Sequence, residues 1–208
     1  MTIVRDEIIA KLFHGNDPFA RVLTRPVDIQ GWNSNHPYLT DAIDKLKPDI
    51  AVEVGVWKGA SVLTMANRMR EIGCDGVVIA CDTWLGSTEH WLQIGVPPDL
   101  YGLFASNVMA AGACDYIVPF RLDSVTASEV LTHLGIRPSV IHIDAAHDYR
   151  SVMTDLSRWW SLLTVNGMMI VDDYDSWSSV TRAVDDFRDR MRPDKFEFSG
   201  NKCRFVKS

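Results

Sequence analysis

The chain has few cysteines and no long apolar run, and both features limit the class of protein to which it can belong. Only four cysteines occur among 208 residues, and they lack the paired spacing of a zinc site or of a secreted disulfide framework. No apolar run approaches the ~18 residues of a membrane span, and the first residues lack the apolar core of a signal peptide. These absences predict a cytoplasmic protein that contacts no membrane.

The chain also carries no excess of positive charge. The 21 lysines and arginines are outnumbered by 27 acidic residues, giving a net charge of −6. Proteins that bind nucleic acid generally present a basic face to phosphates, so no nucleic-acid partner is expected. The length and the apolar content of 47% suit a globular chain with a sizeable core.

From about residue 49 onward, strand and helix patterns alternate. Continuous apolar strands separated by amphipathic helices are typical of a parallel sheet covered on both faces. The predicted strands are Asp49–Val54, Gly76–Cys81, Tyr116–Arg121, Ser139–Ile143, Gly167–Val171, Lys195–Phe198 and Lys202–Val206. Gly200-Asn201 between the last two strands predicts an antiparallel hairpin. The predicted fold is therefore α/β, a doubly wound seven-stranded and mostly parallel sheet with an antiparallel C-terminal hairpin.

The helices between these strands are predicted from apolar spacing and from end signals. They are Ser61–Arg70, Leu100–Ala111, a short helix with a capping box from Thr126 to Glu129, Tyr149–Leu163, and a helix marked by Val180 to Met191. Residues 1–48 differ, with helices predicted at Val4–Phe13 and Tyr38–Leu46 around a Pro- and Gly-bearing loop. We expect 1–48 to form an N-terminal helical cap or lid on a domain spanning 49–208. The cap could equally mediate a homo-oligomer.

The segment Ile50–Ser61 carries the strongest local signal. An apolar strand leads into Glu53, a turn at Gly55, then Gly59 and the helix that begins at Ser61. Such a junction predicts a cradle for a nucleoside-containing cofactor, because glycine lets the backbone approach a ligand closely. The spacing differs from the dinucleotide fingerprint and from a Walker loop.

Acidic residues stand at the end of every predicted parallel strand, where ligands bind in open α/β sheets. They are Glu53, Asp82, Asp123, Asp144, Asp172 and Asp173. Asp82 is placed to accept both hydroxyls of a ribose, and Asp123 with Ser124 to contact an adenine edge. Asp144, Asp172 and Asp173 would repel one another unless a cation joined them, and their hard oxygens suit Mg²⁺. The alternative is that these acids cap helices.

His147 follows three residues after Asp144, on the loop above the predicted metal site. It could accept the proton of a metal-polarised hydroxyl, or it could simply hydrogen-bond a neighbouring carboxylate. The connection Thr83–Tyr101 is long enough to be a binding loop. Within it, Trp84 or Trp91 could stack on adenine or substrate, or could pack the loop onto the body.

Four motifs together carry a family resemblance: Val-Glu-Val-Gly-Val-Trp-Lys-Gly, Cys-Asp-Thr-Trp, Ile-His-Ile-Asp-Ala-Ala-His-Asp-Tyr and Ile-Val-Asp-Asp-Tyr. The chain resembles class I S-adenosylmethionine-dependent methyltransferases, which have a Rossmann-like fold. Within that class it resembles small bacterial O-methyltransferases of the cephalosporin and macrolide tailoring type. The resemblance implies that Glu53 and Gly55 line the methionine part of the cofactor, that Asp82 binds its ribose, and that Asp123 and Ser124 contact its adenine.

The expected site residues follow from the motifs and the resemblance together. The cofactor-binding set is Glu53, Gly55, Gly59, Ser61, Asp82, Thr83, Trp84, Asp123, Ser124 and Asp144. The resemblance implies a metal trio of Asp144, Asp172 and Asp173, and the catalytic pair is predicted to be His147 and Asp144. His147 stands where catechol and caffeoyl-CoA types carry a catalytic lysine.

The predicted function is S-adenosylmethionine-dependent methylation, with Mg²⁺, of a hydroxyl on a small molecule such as a sugar or a phenolic natural product. One alternative keeps the cofactor without the metal and methylates nitrogen or carbon. Another is a non-catalytic subunit that binds the cofactor. A nicotinamide dehydrogenase is disfavoured by the glycine spacing.

Overall fold

A single sheet of seven strands organises the chain. The computed structural model describes residues 2–32, 34–193 and 195–208. Its strands are β1 Ile50–Val54, β2 Val77–Cys81, β3 Ile117–Phe120, β4 Val140–Ile143, β5 Met168–Val171, β6 Lys195–Ser199 and β7 Lys202–Val206. The strand order is β3-β2-β1-β4-β5-β7-β6. Strands β1 to β5 are parallel, and β7 runs antiparallel to both β5 and β6.

Seven α-helices connect and cover these strands in the described part of the chain. They are α1 Ile3–Phe13, α2 Pro37–Leu46, α3 Ala60–Glu71, α4 Leu100–Ala110, α5 Ser124–His133, α6 Tyr149–Leu162 and α7 Ser178–Met191. A five-residue π-helical turn, His90–Ile94, lies in the long connection before α4. Within the described residues, no helix is both long and apolar enough to cross a membrane.

The sheet separates two apolar cores because its buried strands alternate side chains between the faces. One core joins Ile8 and Ile9 of α1 to the apolar faces of α5, α6 and α7. The other joins Leu39 and Ile43 of α2 to α3 and α4. Burial on both faces explains why β1 to β5 have continuous apolar sequences.

The predicted fold class is confirmed, including the antiparallel hairpin at the C-terminus. Predicted and observed element ends differ by at most two residues, except at the helix after β3. The capping box predicted from Thr126 to Glu129 was wrong. Helix α5 begins at Ser124, and Asp123 caps it by accepting the Thr126 backbone N–H at 2.9 Å.

Residues before β1 contact both faces of the domain. The Arg5 guanidinium in α1 donates to the Cys114 carbonyl at 2.7 Å, near the β3 edge, whereas α2 packs beside α3. Between α1 and α2, residues 23–31 belong to no helix or strand, and we call this segment the strap. A division between a cap at 1–48 and a domain at 49–208 stays a prediction.

Candidate active site

A cavity of about 620 Å³ opens at the carboxyl ends of the parallel strands. In the strand order, β1 lies between β2 and β4, and this reversal is where open α/β sheets bind ligands. Ten of the predicted site residues line the cavity: Gly55, Ser61, Asp82, Thr83, Asp123, Ser124, Asp144, His147, Asp172 and Asp173. Three other predicted residues are absent from this lining: Glu53, Gly59 and Trp84. Five of the six strand-end acids therefore lie at one cavity.

The turn after β1 needs glycine at two positions for different reasons. Gly55 has φ +83°, and a Cβ there would lie 1.9 Å from the Asp144 carbonyl oxygen, so the turn packs directly on the end of β4. Gly59 has φ +90°, and its Cβ would lie 2.8 Å from the Phe104 ring. Gly59 therefore serves helix packing, whereas Gly55 brings the backbone to the cavity wall.

Asp82 holds this turn in place. One carboxylate oxygen accepts the backbone N–H groups of Val56 and Trp57 at 2.7 and 3.0 Å, and the other accepts that of Trp84 at 2.7 Å. Each oxygen has two lone pairs, so the carboxylate keeps capacity for a ligand hydroxyl. Asp82 thus positions the cradle and also lines it.

Trp84 packs the loop onto the body and does not face the cavity. It is 4% exposed, its indole N–H donates to the Trp57 carbonyl at 3.0 Å, and its ring contacts Tyr101 and Phe104. Trp91 is 69% exposed. The prediction that Trp84 stacks on a ligand therefore does not fit its placement, whereas Trp57, stacked on His90 at 4.0 Å, lines the cavity, as do Trp32 and Trp177.

Beyond β3, the predicted adenine region is built around a buried carboxyl group. The Ser124 hydroxyl donates to Asp155 and accepts the Trp159 indole N–H at 3.3 Å. Burial raises the pKa of Asp155 to about 6, against the opposing effect of the Ser124 hydrogen bond. Backbone hydrogen bonding at the α5 N-terminus lowers the pKa of Asp123.

A network of fully buried polar groups runs beneath the cavity floor. The Ser61 hydroxyl donates to Glu53, and His142 Nδ1 lies 3.4 Å from the same Glu53 oxygen. On the other side of the ring, the Lys202 ammonium lies 3.2 Å from His142 Nε2 and donates to Asp172. Sheet pairing explains the arrangement, because Glu53 on β1 is the register partner of His142 on β4.

Burial has the largest effect on the pKa values of the titratable groups in this network. It raises the pKa of Glu53 to about 8, against the effects of the Ser61 hydrogen bond and the Lys202 charge. It lowers the pKa of His142 to about 3, with the Lys202 charge acting in the same direction. It also raises the pKa of Asp144, to which the negative charge of Asp172 adds. At neutral pH, Glu53 therefore holds a proton and His142 is uncharged.

His147 forms an oriented pair with Asp173 at the cavity wall. Its Nε2 lies 3.0 Å from an Asp173 carboxylate oxygen, and its ring stacks on Trp177 at 4.5 Å. The hydrogen bond to Asp173 raises the pKa of His147. Its Nδ1 has no hydrogen-bond partner among the described residues, and the nearest acid is Glu89 at 3.9 Å. Asp173 itself has φ +60°, a conformation uncommon for residues other than glycine.

In this structure, Asp172 of the predicted magnesium trio pairs with the ammonium group of Lys202. One Asp172 oxygen accepts Lys202, and the other accepts the Asn201 amide at 2.9 Å and the Asp173 backbone N–H at 2.8 Å. With Asp173 also bound to His147, only Asp144 is without such a donor among the hydrogen bonds of the described residues. Asp172 therefore does not fit the role of a magnesium ligand.

A second group of potential ligands, Glu53, His142 and Asp144, has its nearest donor atoms within 4.8 Å of one another. A charged lysine can only donate, so Lys202 donates to His142 Nε2, and the neutral ring then carries its proton on Nδ1. Metal ligation needs a bare nitrogen, so Nδ1–H facing Glu53 is a poor ligand.

Sequence reasoning missed several of these residues. His142 lies inside the otherwise apolar strand β4 and Lys202 is the first residue of β7, and both are fully buried polar residues. Asn107 and Lys58 bind the strap: the Asn107 amide donates to the Asp28 and Lys58 carbonyls at 3.0 and 2.9 Å, and the Lys58 ammonium donates to Asp28 at 2.6 Å. For His142 and Asn107, the available sequence signal was a polar side chain within an otherwise apolar strand or helix.

The strand order, the glycine turn and the acids around the cavity define a class I S-adenosylmethionine-dependent methyltransferase fold. A family model described as a methyltransferase domain matches residues 52–174, and the chain belongs to that family. It is a methyltransferase, as the sequence predicts.

Solved structures share the fold at low sequence identity. An O-methyltransferase from Bacillus cereus, in complex with SAH, aligns with a TM-score of 0.61 at 13% identity over 98% of this chain and 97% of its own. The O-methyltransferase TomG from Streptomyces achromogenes, involved in tomaymycin synthesis and in complex with SAM, gives 0.62 at 12% over 98% and 96%. No curated protein sequence matches the chain significantly.

Proposed function

We propose that the protein transfers the methyl group of S-adenosylmethionine to a hydroxyl group of a small molecule. The observation that carries this proposal is the His147–Asp173 pair at the cavity wall, with Nδ1 free of hydrogen-bond partners in the described part of the chain. A hydroxyl must lose its proton as the methyl group arrives, and an oriented imidazole is the side chain suited to accept it near neutral pH.

The cofactor assignment rests on the other wall of the cavity. Gly55 lets the backbone approach a ligand, and Asp82 keeps acceptor capacity for one hydroxyl. One Glu53 oxygen is buried without a hydrogen-bond partner among the described residues. An ammonium group on the methionine part of S-adenosylmethionine would satisfy it. The TomG and Bacillus cereus structures, with SAM and SAH, support this cofactor by analogy.

In the proposed reaction, the chain contributes alignment, exclusion of water and a base. The sulfonium leaving group is already activated, so the methyl carbon needs mainly an in-line approach by the acceptor oxygen. Asp173 holds Nε2–H, which leaves Nδ1 to accept the hydroxyl proton, and the resulting imidazolium is stabilised by the Asp173 carboxylate. Glu89 lies only 3.9 Å from Nδ1, so it must move aside for the acceptor.

We do not include the predicted magnesium ion in this proposal, because Asp172 is already paired with the ammonium group of Lys202, whose positive charge repels a second cation. The predicted catalytic role of Asp144 is not part of this proposal, and burial raises the pKa of its carboxyl group. The nature of the acceptor, sugar or phenol, stays a prediction, as do the cytoplasmic location and any homo-oligomer. The strap and cavity residues from 1–48 support the cap prediction, since Gln30, Gly31, Trp32 and Ser34 line the cavity.

Two measurements test the proposal. Isothermal titration with S-adenosylmethionine should give saturable binding, and Glu53→Ala should weaken it. A mass-spectrometric screen of phenols, sugars and amines should give products from hydroxyl acceptors only. His147→Gln should lower turnover about 10²-fold or more, whereas His133→Gln, at an exposed histidine on α5, should leave it unchanged.

Each failure has a distinct meaning. Absence of cofactor binding by folded protein would reject the methyltransferase assignment of this cavity. Methylated amines with no methylated hydroxyl would favour the N-methyltransferase alternative. Cofactor binding without any product would favour a non-catalytic subunit.

A further inference from the structure

Lys202 is a fully buried lysine at the floor of the site, and nothing in the methyl transfer described above uses it. It is 0% exposed, and it donates to Asp172, which is 5% exposed. Burial of an ammonium group is costly unless the charge is paired and its hydrogens are bound. A lysine in this position therefore needs a specific reason to be there.

The topology explains how the lysine reaches the site. Strand β7 runs antiparallel to β5, and Cys203 is the register partner of Val171. The first residue of β7 therefore lies beside the residue that follows β5, which places Lys202 next to Asp172. The preceding Asn201 donates its amide to the same carboxylate at 2.9 Å. The hairpin thus delivers two donors to one acid.

The lysine also controls the histidine beside it. Its ammonium lies 3.2 Å from His142 Nε2 and can only donate there, which puts the ring proton on Nδ1 toward Glu53. The ammonium group of Lys202 therefore pairs with Asp172 and leaves His142 without a bare nitrogen for a metal. Each of the two groups of potential metal ligands described above thus loses one ligand.

We propose that the Lys202 ammonium is the resident cation of this site and takes the position that the sequence assigned to a divalent ion. Lys202 acts as a positioning residue, because it neutralises Asp172 and fixes the His142 tautomer without lining the cavity. The role of Lys202 in methyl transfer rests on the proposed function, but the predicted absence of divalent-ion binding does not. The strand-end acids then bind no Mg²⁺ or Mn²⁺, whatever the concentration of these ions in the cell.

Manganese is the probe for the test, because its binding can be followed by electron paramagnetic resonance and by calorimetry without any methyl acceptor. The proteins are the wild type, Lys202→Met, Asp172→Asn and Lys195→Met. Lys195 is a matched control, since it pairs with Glu197 on the same hairpin at 2.6 Å but is 59% exposed. Methionine keeps the length of the lysine side chain and removes its charge.

The wild type and the Lys195 variant should show no saturable Mn²⁺ binding up to ~1 mM, the weak end of protein sites. Lys202→Met should bind Mn²⁺ at least tenfold more tightly, because Asp172 then has no cationic partner and one of its oxygens is free beside Asp144 and Asp173. Adding Asp172→Asn to Lys202→Met should abolish that binding. Saturable binding by the wild type that Asp172→Asn removes would overturn the proposal, as would a folded Lys202→Met that binds no better.

Loss of the ammonium could prevent folding, since it leaves Asp172 buried without its counter-charge. The Asp172→Asn/Lys202→Met double variant removes both charges, and its far-UV circular dichroism separates a charge defect from a packing defect. If Lys202→Met alone does not fold, the wild-type titration decides the question by itself. Calorimetry with S-adenosylmethionine on the same wild-type sample reports on the proposed function independently.

Discussion

Glu53→Gln should stabilise the free protein and should do so more at pH 7 than at pH 5. Glutamine keeps the shape of the side chain and an oxygen to accept the Ser61 hydroxyl, but it carries no titratable proton. Burial raises the pKa of the Glu53 carboxyl from 4.5 to about 8. The folded protein therefore holds a proton on Glu53 that the unfolded chain releases above pH 4.5.

The sign and size of the effect follow from this difference in proton binding. An acid with a raised pKa in the folded state contributes stability that is complete below pH 4.5 and is lost as pH rises to 8. At about 1.4 kcal/mol per pH unit, the interval from 4.5 to 7 gives a loss of about 3 kcal/mol, and the same relation gives about 1 kcal/mol at pH 5. The glutamine variant does not suffer this loss.

Urea unfolding of the wild type and Glu53→Gln at pH 5 and pH 7 measures the two differences. Glu129→Gln, at a glutamate that is 63% exposed, is the control and should change neither. An equal change in the free energy of unfolding at both pH values would refute the assignment of a raised pKa to Glu53. The stabilised variant should also bind S-adenosylmethionine more weakly, since functional sites commonly retain destabilising groups.

Three further predictions concern other parts of the site. Asp173→Asn should lower the pKa of His147, so the acidic limb of a pH–rate profile should move to lower pH while turnover falls about 10²-fold; an unmoved limb would exclude the pairing. Gly55→Ala should lower the thermal stability by well over the ~1 kcal/mol expected for Gly135→Ala. Both glycines have positive φ, but only at Gly55 would the added Cβ collide with backbone atoms. Equal losses in thermal unfolding would contradict this. Asn107→Ala should cost about 1–3 kcal/mol and expose the strap to limited proteolysis, because it leaves buried backbone groups without partners; unchanged proteolysis would show that the strap is held elsewhere.

The sheet could be predicted from sequence because its signals are local. Continuous apolar strands, glycine at the turns and acids at the strand ends each depend on a few neighbouring residues, and together they define both the topology and the position of the cavity. The convergence of Asp144, Asp172 and Asp173 also follows, since β4 and β5 are neighbours. Helix ends were less accurate, as Asp123 shows by capping α5 three residues before the predicted box.

The chemistry at the cavity floor could not be predicted in the same way, because it depends on register between distant strands. Lys202 faces Asp172 across 30 residues of sequence, and His142 faces Glu53 across 89. A lysine at the start of a hairpin strand ordinarily suggests an exposed edge. Here β6 covers that edge, so β7 lies inside the sheet and its first residue is buried.

The arrangement of charge explains why so many acids can share one cavity without a divalent ion. Asp172 is paired with Lys202 and Asp173 accepts a hydrogen bond from His147, while burial raises the pKa of Glu53 to about 8 and also raises that of Asp144. On the proposed function, the incoming cofactor brings a sulfonium and an ammonium charge. Glu53 can release its proton as those charges enter, so the site gains negative charge when the cofactor binds. The acids at the strand ends are then explained by the charge of the cofactor rather than by a metal.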